Sequence, residues 1–279
     1  MKKRQMTGIL FVLPSLIGVC IFVLIPFLDV IRRSFLEAVN SRWVGIQNYL
    51  TVFTNPAFLL AGKNTLRFVG ICIPLLIVLS LSIAAFLNRQ AAGGILKTCF
   101  LLPMAIPVAS VVLLWRVLFH NSGLLNHLLH SLGYAGTDWM NTGFAFWILV
   151  ISYLWRNLGY NIVLWMAGLS SIPVSLYEAA RVDGAGSFQC FLKITMPGLM
   201  PTLFTISVLS LLNSFKVFRE GYLVAGDYPH ESMYLLQHLF NNWFRDLSLD
   251  KMAAGAVTCA AVIFALVLIL KKSWGGEED

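Results

Sequence analysis

Six stretches of about 20 consecutive, mostly apolar residues run through this chain, at 8–28, 66–87, 98–119, 144–169, 198–218 and 252–270. Each is long enough to cross the roughly 30 Å hydrocarbon core of a bilayer as a helix. In hydrocarbon every backbone N–H and C=O must be satisfied within the segment, so such a chain folds as a bundle of helices. A closed barrel would show shorter alternating segments, and none occur. Only 12% of the 279 residues are charged, against roughly 25% in soluble domains. Too little polar surface remains to cover a water-facing globule. The sequence therefore predicts an all-α polytopic membrane protein with six transmembrane helices, organised as a single transmembrane domain over 1–279.

The net charge of +7 comes from basic residues scattered in ones and twos. No stripe mixes them with aromatics, so no nucleic-acid partner is expected. They read as cationic flanks of spans in contact with the lipid bilayer. With six spans, 1–7, 89–97, 171–197 and 271–279 share one side. Lys2, Lys3, Arg4, Arg89, Lys97, Arg181, Lys193, Lys271 and Lys272 lie there, at more than twice the density of the other side. The positive-inside rule makes that side cytoplasmic, with both termini on it. Arg32 and Arg33, beyond the first span, work against this orientation. The basic start and the first apolar run could be a signal peptide, but the run is too long and lacks an A-x-A-like site, which predicts a retained span. The five cysteines form no CxxC pair, so neither a zinc site nor a redox motif is expected.

Between the fourth and fifth spans lies a loop, 171–197, of a length uncommon in connections without a function. Ser175, three residues before Glu178, has capping-box spacing. Gly184 is suited to stop the helix that follows. Ser187 is placed to cap a second short helix and Pro197 to end it. Two short helices carrying a small Ala179-Ala180 pair make a compact knob, able to bear on a partner or merely to join two spans. On the other side, Met233, Leu236, Leu239, Phe240, Trp243 and Leu247 recur every three to four residues. They predict an amphipathic helix, lying either at the membrane interface or on the bundle.

Polar residues within spans are functional candidates by default. Tyr153, Arg156, Asn157, Tyr160 and Asn161 fall on one stripe of the fourth span, and Ser210, Asn213 and Ser214 on one face of the fifth. Aromatic faces stack on sugars and amides bond hydroxyls, so the stripe reads as a substrate path; interhelical hydrogen bonding is the equal alternative. Arg156 must face protein or water, or pair with a carboxylate on another subunit. Arg67, Arg116 and Lys216, near span ends, are expected to snorkel. Pro103 and Pro107 invite a kink in the third span. Catalytic signatures are lacking. His127 and His130 near Asp138 are a weak metal site, His230-Glu231 lacks a zincin's second His, and no G-x-S-x-G occurs. The five histidines read as surface residues. The span cores contain no carboxylate, with Asp29 and Glu220 at edges, which argues against an ion-coupled carrier.

The loop also carries a resemblance. Glu178-Ala179-Ala180, three residues, Gly184, nine residues, then Ile194-Thr195-Met196-Pro197 resembles the EAA motif of binding-protein-dependent ABC importer permeases, with Met196 where the family has Leu. Trp43-Val44-Gly45-Ile46-Gln47-Asn48-Tyr49, Asn64-Thr65-Leu66 and Leu102-Pro103 are similar to the carbohydrate-type permeases, of the maltose and glycerol-phosphate "first" subunit kind. Ala225-Gly226-Asp227-Tyr228-Pro229 departs from that group's Thr-x-Gly-Gly-Pro turn. The resemblance implies a type I importer permease in a bacterial-type inner membrane, with a coupling helix in the loop. It implies a second homologous permease, an extracytoplasmic solute-binding protein and two cytoplasmic ATPase subunits that use ATP and Mg. Glu178, Ala179, Ala180, Asp183, Gly184, Ile194 and Pro197 would carry the ATPase contact, with Glu178 facing a basic residue. This chain has no G-x-x-x-x-G-K-[ST] P-loop, so no catalytic residue and no bound cofactor of its own are expected.

Overall fold

The computed structural model describes residues 12–88 and 93–274, the backbone alone at 93–97, 223–225 and 274. Lys2, Lys3, Arg4 and Arg89 lie outside the described residues, as does the start of the first predicted span. The chain is helical almost throughout; a lone bridge between Leu36 and Trp43 is the extended pairing among the described residues. Five helices are long and apolar enough to cross a bilayer: Val12–Arg33, Pro56–Leu87, Val108–Ser131, Met200–Tyr222 and Leu249–Ser273. Phe144–Ser171 makes a sixth if it is counted with Val174–Val182, from which it is bent by 61°.

Two of the predicted spans differ. The third does not run unbroken over 98–119: helices Gly93–Ala105 and Val108–Phe119 meet at Ile106-Pro107. Pro107 takes φ −57° and ψ 141°, because its fixed φ and missing N–H end one helix and start the next. The fifth continues beyond Phe218. Met200–Ser214 passes through a 3-10 turn, Phe215–Val217, into Phe218–Ala225.

The chain divides into two compact units. The first comprises the described residues up to Leu59 with Leu239–Phe264. Its Val12–Arg33 helix buries none of its apolar stretch against the chain, so that surface is left for lipid or protein. Arg32 and Arg33 both bind Asp29, at 3.1 and 2.6 Å. Asn48, on Gln47–Thr54, donates to the carbonyls of Ser34 and Leu36 at 3.0 and 2.8 Å, and Phe35 stacks on Trp43. Phe58 stacks on Trp243 at 6.3 Å, and a Cβ at Gly255 would crowd Phe240 and Trp243.

The second unit, Leu60–His238 with the described residues from Ala265, holds two cores. One gathers Phe68, Leu76, Phe146, Leu149, Tyr153, Val217 and Met233; the other Ala84, Ile162, Trp165, Leu199, Leu203 and Ile206. Lipid tails are as apolar as these side chains, so close packing and interhelical hydrogen bonds hold such cores. Trp165 Nε1 donates to Ser80 Oγ at 3.0 Å and Trp115 Nε1 to Ser152 Oγ at 2.9 Å. Gly159 permits the tightest approach: a Cβ there would overlap the Phe100 carbonyl.

The predicted amphipathic segment becomes a 3-10 turn, Glu231–Met233, and a helix, Leu236–Arg245. Met233, Leu236, Leu239 and Trp243 are all buried in protein, so the apolar face is covered by the chain itself. Leu247 lies beyond the helix end and is exposed. Asn64 Nδ2 donates to the carbonyls of Glu231 and Tyr234 at 2.6 and 3.0 Å, and Thr65 Oγ1 accepts from Leu236 N. That gives Asn64-Thr65 a physical role.

Candidate functional site: a projecting knob and a charged cavity

Pro173 sets the geometry of the 171–197 loop. Its extended backbone (ψ 131°) ends the preceding helix and starts Val174–Val182, whose N-cap it is. Ser175 therefore sits inside the first turn and caps nothing, contrary to expectation. The far end closes as predicted at Gly184, with φ +79°. Gly184 N donates to Arg181 O at 3.0 Å and Ala185 N to Ala180 O at 2.9 Å, the paired bonds of a Schellman stop. At the second helix, Ser187–Cys190, the cap is Gly186 rather than Ser187, and Gln189 Oε1 accepts from Gly186 N at 3.0 Å. Nor does Pro197 end that segment. A π turn, Phe191–Thr195, leads into Met196–Gly198. Pro197 falls in that first turn, where a missing N–H costs nothing.

Tyr177 ties the knob to its base through a 2.9 Å bond with Thr195 Oγ1. Glu178, Ala179, Asp183 and Gly184 are exposed, and Ala180 is half-buried. Ile194 packs into the second core instead, and Pro197 is exposed at the base. Around the motif, Val174, Leu176, Val182, Phe188 and Leu192 are also exposed, Val182 at 89%. Sequence reasoning missed this apolar collar. Contiguous apolar surface next to charged residues marks a protein contact site.

The intramembrane stripe splits. Tyr153, Arg156 and Asn157 line a cavity of about 140 Å³ with Asn213, Lys216, Val217, Arg219, Glu220, Met104 and Val108. Asn161, Ser210 and Ser214 are buried between helices. Tyr153 is itself 2% exposed and its hydroxyl donates to Ser210 O at 2.7 Å. Asn161 Nδ2 donates to Ser210 Oγ at 3.4 Å, and Ser214 Oγ to Leu211 O. These are interhelical and local bonds. Asn157 donates back to Tyr153 O at 2.8 Å, and Tyr160 is half-buried outside the cavity lining.

Arg156 finds its carboxylate within the chain. Glu220 Oε1 lies 3.4 Å from Nη1. Arg156 Nη1 and Glu220 Oε2 are buried without a hydrogen-bond partner among the described residues. Glu220 is 7% exposed and lies two residues from the end of Met200–Tyr222, at a span edge as expected. Lys216 does not simply snorkel: its Nζ donates to Asn213 Oδ1 at 2.8 Å. Arg67 lies 4.3 Å over the Phe146 ring, a cation–π contact. The signal for Lys216 and Glu220 was legible, since 213, 216, 217 and 220 repeat at three to four residues once the helix is continued past Phe218.

The other polar groups are structural. Asn126, 2% exposed, binds Asn121 O, Thr137 N and O, and Trp139 Nε1, and so holds the 120–143 segment together. The hydrogen bond from the Asn141 side chain keeps Asp138 below the usual carboxylate range. His238 is 1% exposed rather than on the surface; burial pushes it down to about 4, and its Nδ1 accepts from Leu235 N.

Residues 75–273 match the family described as binding-protein-dependent transport system inner membrane component, and the chain belongs to that family. Among its relatives is the trehalose/maltose transport system permease protein MalF of Thermococcus litoralis. That protein is 32% identical over 234 residues, which cover 81% of this chain and 79% of MalF. The sn-glycerol-3-phosphate transport system permease protein UgpA of Yersinia enterocolitica is 31% identical over 268 residues, covering 93% and 91%. The fold matches a chain of a bacterial ABC transporter involved in the import of the acidic polysaccharide alginate. That match has TM-score 0.85, 24% identity, and coverage of 99% and 98%. The protein is thus a membrane-spanning permease subunit of an ABC importer, and nothing in these likenesses favours an ion-coupled carrier.

Proposed function

We propose that this chain forms one half of the solute path of an importer for a carbohydrate or sugar derivative. The named relatives serve trehalose and maltose, and sn-glycerol-3-phosphate. A similar chain occurs in an alginate importer bound to a periplasmic protein carrying an alginate pentasaccharide. The assembly contains a second, related permease and an extracytoplasmic binding protein. Two cytoplasmic ATPases hydrolyse ATP with Mg, and this chain contributes no residue to that chemistry. Both termini and the knob face the cytoplasm of a bacterial-type cell.

The observation that carries the coupling role is the knob itself. A helix turned 61° out of its span and closed by a Schellman stop presents Glu178 and Ala179 amid exposed apolar side chains. Such a body seats in a groove, and movement of that groove tilts the spans on either side. Glu178→Lys changes an exposed charge without disturbing a buried contact. Membrane insertion should be retained, while co-purification with the ATPases and solute uptake fall at least tenfold. Uptake at the native rate in that variant would remove the knob from coupling.

A further inference from the structure

The cavity carries more positive charge than its own carboxylate neutralises. Four charged side chains line it: Arg156, Lys216, Arg219 and Glu220. Glu220 faces Arg156. Lys216 donates to a neutral amide and pairs with no carboxylate among the described residues, and Arg219 is exposed beside Glu220. Lys216 and Arg219 belong to a segment apolar enough to cross the bilayer, where an uncompensated cation is costly. Two cations on one wall, one helical turn apart, repel each other until an anion joins them. Arg156, whose Nη1 is ion-paired with Glu220 Oε1 at 3.4 Å without a well-formed hydrogen bond, adds a third cationic group to the lining. Asn157 and Asn213 complete the lining with amides suited to hydroxyls.

The geometry points to a solute that bears an anionic group, a carboxylate or a phosphate on a hydroxylated body, held in this cavity by Lys216 and Arg219 with Arg156 beside them. This rests on the importer reading above and narrows its substrate class. Guanidinium and ammonium donors form their strongest hydrogen bonds with such oxyanions. Three cations share the one carboxylate of Glu220 in this lining, so a neutral sugar leaves the excess positive charge uncompensated and enters at a disadvantage.

The test is ATP-driven uptake into proteoliposomes holding the complete importer with its binding protein. Three probes compete: a uronic acid trisaccharide, the same glycan with its carboxylates reduced to alcohols, and glycerol phosphate. One anionic probe should be accumulated at least tenfold faster than the reduced glycan. Lys216→Gln with Arg219→Gln should abolish that preference, and Lys216→Arg with Arg219→Lys should restore it. Preference for the uronate assigns the charge to a carboxylate, and preference for glycerol phosphate to a phosphate; either supports the site. Uptake of glycerol phosphate with neither glycan keeps the anion site and discards the glycan class. Uptake of the reduced glycan alone discards the anion site and keeps the carbohydrate reading. Failure to accumulate either anionic probe, or an anion preference that survives loss of both cations, overturns the proposal.

Discussion

Buried ionisable groups in this chain illustrate two ways of tolerating low dielectric. Arg156 and Glu220 stay paired at 3.4 Å, and removing one member of such a pair strands the other, at about 3–5 kcal/mol. His238 instead stays neutral. Burial lowers its pKa from 6.5 to about 4, and neutral Nδ1 accepts from Leu235 N. The sign follows from proton uptake. Above about pH 6.5 both folded and unfolded histidines are neutral and stability is full. Between 6.5 and 4 only the unfolded chain takes up the proton, so stability falls, by on the order of 3 kcal/mol in all. Thermal unfolding of the detergent-solubilised protein should show a midpoint that drops across this window. His238→Asn keeps an acceptor but cannot titrate, and should flatten the slope; an equal slope in the variant would assign the effect to other groups.

Helix ends and helix contacts obeyed rules that hydropathy does not report. The spans were legible because each is about 20 apolar residues. Their breaks were not, because a proline's effect depends on its position within a turn. Pro107 separates two helices, Pro74 sits inside Pro56–Leu87, and Pro197 falls where no N–H is needed. Pro173 took the cap that Ser175 promised, since a fixed φ and extended ψ already start the helix. The Gly184 stop was readable, because few residues other than glycine adopt φ +79°. The role of Gly159 was not readable, because its neighbour is a backbone 59 residues away. A side chain there meets the Phe100 carbonyl, whereas Gly70 has open space. Gly159→Val should lower stability by ~1–3 kcal/mol or block assembly, and Gly70→Ala should be tolerated. Equal yields and midpoints for the two would mean that the 93–105 and 144–171 helices are not in close contact.

Across the second unit, one continuous helix links the cavity to the knob. Phe144–Ser171 is a 28-residue helix, about 42 Å at 1.5 Å per residue, with the cavity residues Arg156 and Asn157 on it and the knob at its end. Met200–Ser214 runs back from the knob's base to Asn213. A displacement of the knob therefore reaches both walls of the cavity through helices rather than through loops. The cavity and the knob nevertheless use separate side chains, so on the function proposed above their roles can be separated by mutation. Asn157 donates its amide to Tyr153 O within its own helix and turns its remaining polar capacity to the cavity. Losing one neutral hydrogen bond is worth about 0.5–1.5 kcal/mol. Asn157→Ala in the complete importer should thus reduce uptake by roughly three- to tenfold while ATPase co-purification and ATP hydrolysis persist. Glu178→Lys should lose all three. If Asn157→Ala also released the ATPases, the cavity and the knob would be a single mechanical element, and the cavity would have no separate part in choosing the solute.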